Sequence, residues 1–139
     1  MAAGILLAGL CFVIPFLMRE PHQPLKKLGL AAVSNQGSKE ALLRFGNGEL
    51  ALRVVVDPNG RGYAFDSVLP ELDPSMTYQL WVADVPVPIS IGVLGPRPVE
   101  VGFSAAAIGD ATLVVTKERA GGSSVPSRKL ASGSLRSQR

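Results

Sequence analysis

From Lys39 to Thr116 the apolar residues recur at every second position, a spacing that a helix cannot place on one face and a strand can. In Glu49 to Asp57 (ELALRVVVD), Leu50, Leu52, Val54 and Val56 share one face, while Glu49, Arg53 and Asp57 take the other. Asp57-Pro58-Asn59-Gly60 follows as a turn: Pro presets φ at its second position and Asn-Gly tolerates positive φ. Arg61 to Asp66 then alternates Tyr63 and Phe65 with Gly62, Ala64 and Asp66, completing a hairpin. Further alternation runs through Thr77 to Asp84 (Tyr78, Leu80, Val82 against Gln79, Trp81), which is aromatic and β-branched enough for a central strand. It continues at Ile89/Ile91/Val93, at Val99/Val101/Phe103 and at Leu113/Val115. Short strands punctuated by Gly, Pro and Asp predict a mostly β chain, an antiparallel β-sandwich of Ig-like or Greek-key type over residues 39–120. Ser104 to Ile108 alone suggests a helical turn.

The two flanks differ from this body. Ala2 to Met18 (AAGILLAGLCFVIPFLM) holds no charged or strongly polar residue, and as a helix spans about 25 Å, near the short limit for a bilayer core. It reads as one N-terminal transmembrane helix over residues 1–19, with Pro15 marking a bend or the exit. A cleaved signal peptide fits less well, because no basic n-region precedes the run and no Ala-x-Ala follows it. Leu10 before Cys11 argues against a lipoprotein site and leaves Cys11 an apolar filler. Arg19, Lys26 and Lys27 follow the run with nothing basic before it, so charge alone does not choose an orientation. Residues 20–38 are expected to be a juxtamembrane linker whose apolar stretch, Leu28 to Val33, is a first strand or part of a stalk. Residues 121–139 (GGSSVPSRKLASGSLRSQR) are expected to be a mobile, basic tail with too few apolar groups to offset the entropy of ordering.

Charge and composition exclude several functions. The 139 residues carry 14 basic and 11 acidic side chains, but the positive balance lies in the flanks. Glu40 to Ala120 holds six basic residues against ten acidic ones, a net −4. A positive total distributed in this way, with 6% aromatic residues, does not describe a nucleic-acid surface. One Cys and one His cannot build an intrachain disulfide, a structural zinc site or a Cys-x-x-Cys pair.

Candidate chemistry is sparse. Asp66, Glu71 and Asp73 cluster around Leu69-Pro70, yet three carboxylates without EF-hand spacing read as solvated loop acids and not as a calcium site. His22 sits between prolines in the linker, with no Gly-x-Ser-x-Gly elbow, Ser-x-x-Lys or Cys partner to make a nucleophile. Gly60-Arg61-Gly62 lacks what a phosphate cradle needs and is a turn. Trp81 reads as a core residue in a strand, with ligand stacking as the rival. No catalytic, cofactor-binding or metal-ligating residue is assigned, no cofactor is expected, and the chain is not expected to be an enzyme.

The order Arg61-Gly62-Tyr63, Leu69-Pro70-Glu71-Leu72, Thr77-Tyr78-Gln79-Leu80-Trp81-Val82, Ile91-Gly92-Val93 and Ala120-Gly121-Gly122-Ser123 resembles the C-terminal domain of the anti-sigma-K factor family. The resemblance covers roughly Lys39 to Gly133 and the preceding apolar segment. It implies a single-pass regulator of the bacterial cell membrane whose β-domain is extracytoplasmic, with regulated proteolysis by a membrane protease releasing a sigma factor. No residue here matches the family's His-x-x-x-Cys-x-x-Cys zinc motif or its sigma-binding helices. Contact with a sigma factor is therefore expected only through a cytoplasmic segment missing from this chain. The expected partners are that sigma factor, a membrane protease and the lipid bilayer, with no nucleic acid. The alternative is an anchored adhesion or ligand-binding sandwich that recognises envelope glycan or protein through its loops, favoured if Trp81 is exposed.

Overall fold

Each alternating stretch forms a strand in the computed structural model, which describes residues 24–105 and 108–138. The elements are α1 (Leu25–Val33), β1 (Lys39–Phe45), β2 (Leu50–Val56), β3 (Arg61–Phe65), β4 (Met76–Val82), β5 (Ile89–Gly95), β6 (Val101–Ser104), β7 (Ala111–Arg119) and β8 (Lys129–Ser137). All the strand pairings are antiparallel and join one eight-stranded sheet in the order β5-β4-β7-β8-β1-β2-β3-β6. The sheet curls until its end strands face each other: a Cβ on Gly92 of β5 would stand 3.3 Å from the Cβ of Phe103 in β6. No ladder joins β5 to β6 among the described residues, so the sheet is nearly closed into a barrel.

The concave face carries the core. Leu43, Leu52, Val54, Leu80, Leu113, Val115 and Leu135 are fully buried there, each contributing about 1.5–3 kcal/mol by leaving water. The 57–60 turn forms as its residues dictate, with Gly60 at φ +80° and the Asp57 carboxylate accepting from the Asn59 and Arg61 amides at 2.8 and 2.9 Å. Strand β3 departs from the usual arrangement of large residues inside. Its small Gly62 and Ala64 face the core, where Gly62 leaves room for the Phe103 ring, while Tyr63 and Phe65 turn to the convex side.

Two expectations need correction. The tail expected to be mobile from residue 121 contains β8, hydrogen-bonded between β7 and β1 in the middle of the sheet. Ala131 and Leu135 point inward from it and are buried, while Ser134 and Arg136 stay exposed. Few apolar groups suffice because two ladders, not side-chain area, hold this strand. The linker over residues 20–38 contains α1, neither strand nor stalk, because Leu25, Gly29, Ala32 and Val33 recur at helical spacing and find an apolar seat on the sheet. The predicted transmembrane helix, Cys11 and His22 lie outside the described residues, as do positions 106–107 of the predicted helical turn. Among the described residues no helix is long and apolar enough to cross a membrane.

Gly133 tests the place of β8. A Cβ there would sit 2.8 Å from the carbonyl carbon of Leu42 and 3.1 Å from the Leu43 Cα in β1, backbone atoms that cannot step aside. Gly133→Val is expected to lower stability by about 2–4 kcal/mol, against under about 0.5 for the exposed neighbour Arg136→Ala. Urea unfolding followed by Trp81 fluorescence measures both.

Candidate functional site

The convex face is covered in two places by segments lying between or before the alternating strands. The first covering is α1. Nine residues make a marginal helix alone, and this one lacks a side-chain N-cap at Pro24, an acid in its first turn and a base in its last. Its helicity therefore depends on docking. Leu25, Ala32 and Val33 pack on Val55, Tyr63 and Phe65. Gly29 allows the approach, since a Cβ would come within 2.6 Å of Phe65 Cε1 and 3.2 Å of Tyr63 Cβ. Lys26 Nζ pairs with Asp66 at 2.5 Å, Asp66 itself holding a left-handed φ of +52°. The Arg53 guanidinium lies 5.5 Å from the centre of the Phe65 ring.

The second covering is the β7–β8 loop, fixed by buried polar groups. Trp81 Nε1 donates to Thr116 Oγ1 at 2.8 Å, and Thr116 Oγ1 donates to Glu118 Oε1 at 2.5 Å. Across the loop, Ser127 donates to the same carboxylate from its amide at 2.7 Å and from its hydroxyl at 2.8 Å. Gln79 supplies a parallel anchor: Nε2 donates to Ser90 Oγ and to the Ser123 carbonyl, and Oε1 accepts from the Ser123 amide at 2.7 Å. Glu118 is 4% exposed and has no ion-pair partner among the described residues. Burial pushes its pKa up, but the hydrogen bonds from Ser127 and Thr116 outweigh burial and hold it below the ordinary glutamate value.

A cavity of about 560 Å³ opens at one end of the β5–β6 seam, lined by Val82, Asp84, Ile89, Ile91, Ala105 and Ile108 among others. The seam is shut further along by Phe103 against Gly92. Asp84 accepts from the Thr112 amide at 2.9 Å, and Asp110 at the same rim pairs with Lys39 at 3.2 Å.

The carboxylates singled out by sequence are kept apart. Asp66 pairs with Lys26, Glu71 pairs with Arg97, and Asp73 accepts from the Ser75 amide at 2.9 Å, which lowers its pKa. Tyr78 pins their loop from inside by donating to the Pro70 carbonyl at 2.6 Å, and burial raises its pKa. Gly60-Arg61-Gly62 ends the hairpin turn and opens β3. Trp81 is 1% exposed. Sequence reasoning missed α1 and the Gln79–Thr116–Glu118–Ser123–Ser127 set. For α1 the available signal was Val55, Tyr63 and Phe65, an apolar strip on the face opposite the core. For that hydrogen-bonded set there was none, because its members meet only through tertiary pairing.

The family model described as anti-sigma-K factor rskA, C-terminal, matches residues 2–135. The chain belongs to the anti-sigma-K factor family. The match runs from the apolar N-terminal segment through α1 and into β8, so both coverings lie inside the family's unit. The family is one of regulatory, membrane-associated anti-sigma factors, whose partner in general is a sigma factor. No curated protein and no solved structure matches the chain.

Glu118 yields a pH prediction. Its folded pKa lies below its unfolded one, so its stabilisation is fully present above about pH 4.5 and is lost as pH falls through the folded value. Glu118→Gln cannot accept both Ser127 bonds, and is expected to cost about 1–3 kcal/mol at pH 7. It should also remove one component of the acid-side decline in urea stability.

Proposed function

We propose that this chain is the anchored, extracytoplasmic part of an anti-sigma factor, working as a signal-responsive gate to proteolysis and not as an enzyme. In this reading residues 1–19 cross the bacterial cell membrane and the β-domain stands outside it. A sigma factor is held by a cytoplasmic segment of the same regulator. A membrane protease cuts near the bilayer once a signal makes the connecting backbone available.

The docking of α1 carries this reading. Proteases bind extended backbone, and residues 25–33 are folded onto Val55, Tyr63 and Phe65 instead. The helix is nevertheless weakly supported in itself, with no capping side chain and one ion pair to Asp66, and it belongs to the part of a fold that opens first. A pull from the membrane side or a partner on the sheet would release α1 and leave the seven ladders in place. The burial of Trp81 supports this gate over loop-based ligand recognition, since the indole is unavailable for stacking.

Two measurements test it. Gly29→Leu should undock α1 against the Phe65 ring and raise the rate of cutting within residues 25–38 by added protease at least about tenfold, while Trp81 emission stays native. Unchanged cutting would remove the gate. A topology reporter fused after Arg139 should be active outside the cytoplasm; activity inside would overturn the extracytoplasmic placement.

A further inference from the structure

The core does not fill the sheet to its end. Where β5 and β7 begin, the buried core positions include the small Ala105 and Ala111, and no ladder draws β6 against β5 among the described residues. The cavity of about 560 Å³ is the result. Ile89 shows what it leaves uncovered: in the β4–β5 register it stands opposite Val82, yet Val82 is 7% exposed and Ile89 is 55% exposed. Protein interiors ordinarily fill such space with their own side chains, and an apolar hollow of this size at the mouth of a barrel is of the kind that takes a small molecule.

The charge around the hollow selects the kind of molecule. Two carboxylates, Asp84 and Asp110, stand among its lining residues, and no basic side chain does among the described residues. Asp110 is already paired with Lys39, whose Nζ also donates to the Ile108 carbonyl. Asp84 has no ion-pair partner among the described residues, and one of its oxygens accepts from the Thr112 amide while the other has no hydrogen-bond partner among them. Arg136 lines a smaller, separate pocket that also touches both aspartates, and makes an ion pair with neither. An anionic head group at this rim would therefore meet like charge, whereas a compact ammonium would meet an unpaired carboxylate beside an apolar wall.

We propose that the cavity binds an aliphatic amine, its ammonium group on Asp84 and its hydrocarbon chain along Val82, Ile89 and Ile91. The chain supplies most of the affinity by covering Ile89 and its neighbours, and the carboxylate selects the head group, since an ion pair this exposed adds little by itself. The site is independent of the course of the N-terminal segment.

The isoleucines make the test direct. The chain has five, Ile5, Ile14, Ile89, Ile91 and Ile108, and the last three line the cavity. The full chain with carbon-13 in its isoleucine δ-methyl groups, held in phosphatidylcholine nanodiscs or free in solution, is titrated with hexylammonium, hexanol and hexanoate and followed by NMR. Hexylammonium is expected to shift the methyl signals of Ile89, Ile91 and Ile108 along one saturable curve, and to bind about tenfold more tightly than butylammonium. It should bind about threefold more tightly than hexanol, and hexanoate should bind more weakly than either. Asp84→Asn, which keeps an acceptor for the Thr112 amide, is expected to remove the preference for the amine and leave hexanol unchanged. Ile89→Ser, at a position already open to solvent, should weaken amine and alcohol alike, as read on Ile91 and Ile108. If hexylammonium leaves these methyl signals in place, or moves only those of Ile5 and Ile14, the site is overturned. If hexanoate or hexanol binds as tightly as the amine, or Asp84→Asn changes nothing, the assignment of an ammonium ligand is overturned.

Discussion

Strand β8 holds the two halves of this domain together. In the order β5-β4-β7-β8-β1-β2-β3-β6, its two ladders are the backbone pairing that joins the three strands on one side to the four on the other, among the described residues. Its register, from Lys39 opposite Ser137 to Phe45 opposite Ala131, and from Ala111 opposite Leu135 to Thr116 opposite Lys129, sets how far the sheet curls. That curl brings β5 and β6 face to face and leaves the cavity at their splayed end. Gly133 is the local requirement, because the β1 backbone at Leu42 and Leu43 occupies the space a side chain would need.

Once the concave face is filled, the convex face still carries apolar groups, and they are hidden by two unlike devices. Tyr63, Phe65 and Val55 are covered by a short apolar helix, an attachment that is broad and weakly directional. Trp81, Thr116, Gln79 and Glu118 are covered by a loop held through directed hydrogen bonds to a buried carboxylate, where losing one partner strands the rest. A domain so built has one covering held by apolar contact and one held by directed hydrogen bonds, and the first directly follows the N-terminal segment in sequence. That arrangement suits a regulator in which access to the connecting backbone is the controlled quantity.

Much of this was legible residue by residue. The period of two in Glu49 to Asp57 placed β2 and its inward face, and Asp57-Pro58-Asn59-Gly60 placed the turn and hence the β2–β3 hairpin. Tyr78, Leu80 and Val82 were assigned together and do share the core. What escaped was carried by small or polar residues. Ala131, Gly133 and Leu135 alternate with Ser132, Ser134 and Arg136 as any strand does, but small inward residues amid Ser and Gly have the composition of a linker. Leu28 to Val33 offers an apolar run too short for its period to decide between strand and helix, and Gly29 weakens the helical signal at the position where docking demands it.

The sequence by itself determined a mostly β, antiparallel chain, the β2–β3 hairpin and most of the inward faces, but not the single nearly closed sheet that stands where a two-sheet sandwich was expected, because alternation and turn chemistry act between neighbours along the chain. Through one Cys and one His it also excluded an intrachain disulfide and a structural zinc site built from this chain alone. Only the tertiary structure decided that the last strand lies at the centre of the sheet, that β3 turns its aromatic residues outward, and that Glu118 is buried among Thr116 and Ser127. Each of these depends on partners far away in sequence. A ladder, a helix seat or a buried carboxylate exists only where a second segment arrives to satisfy it.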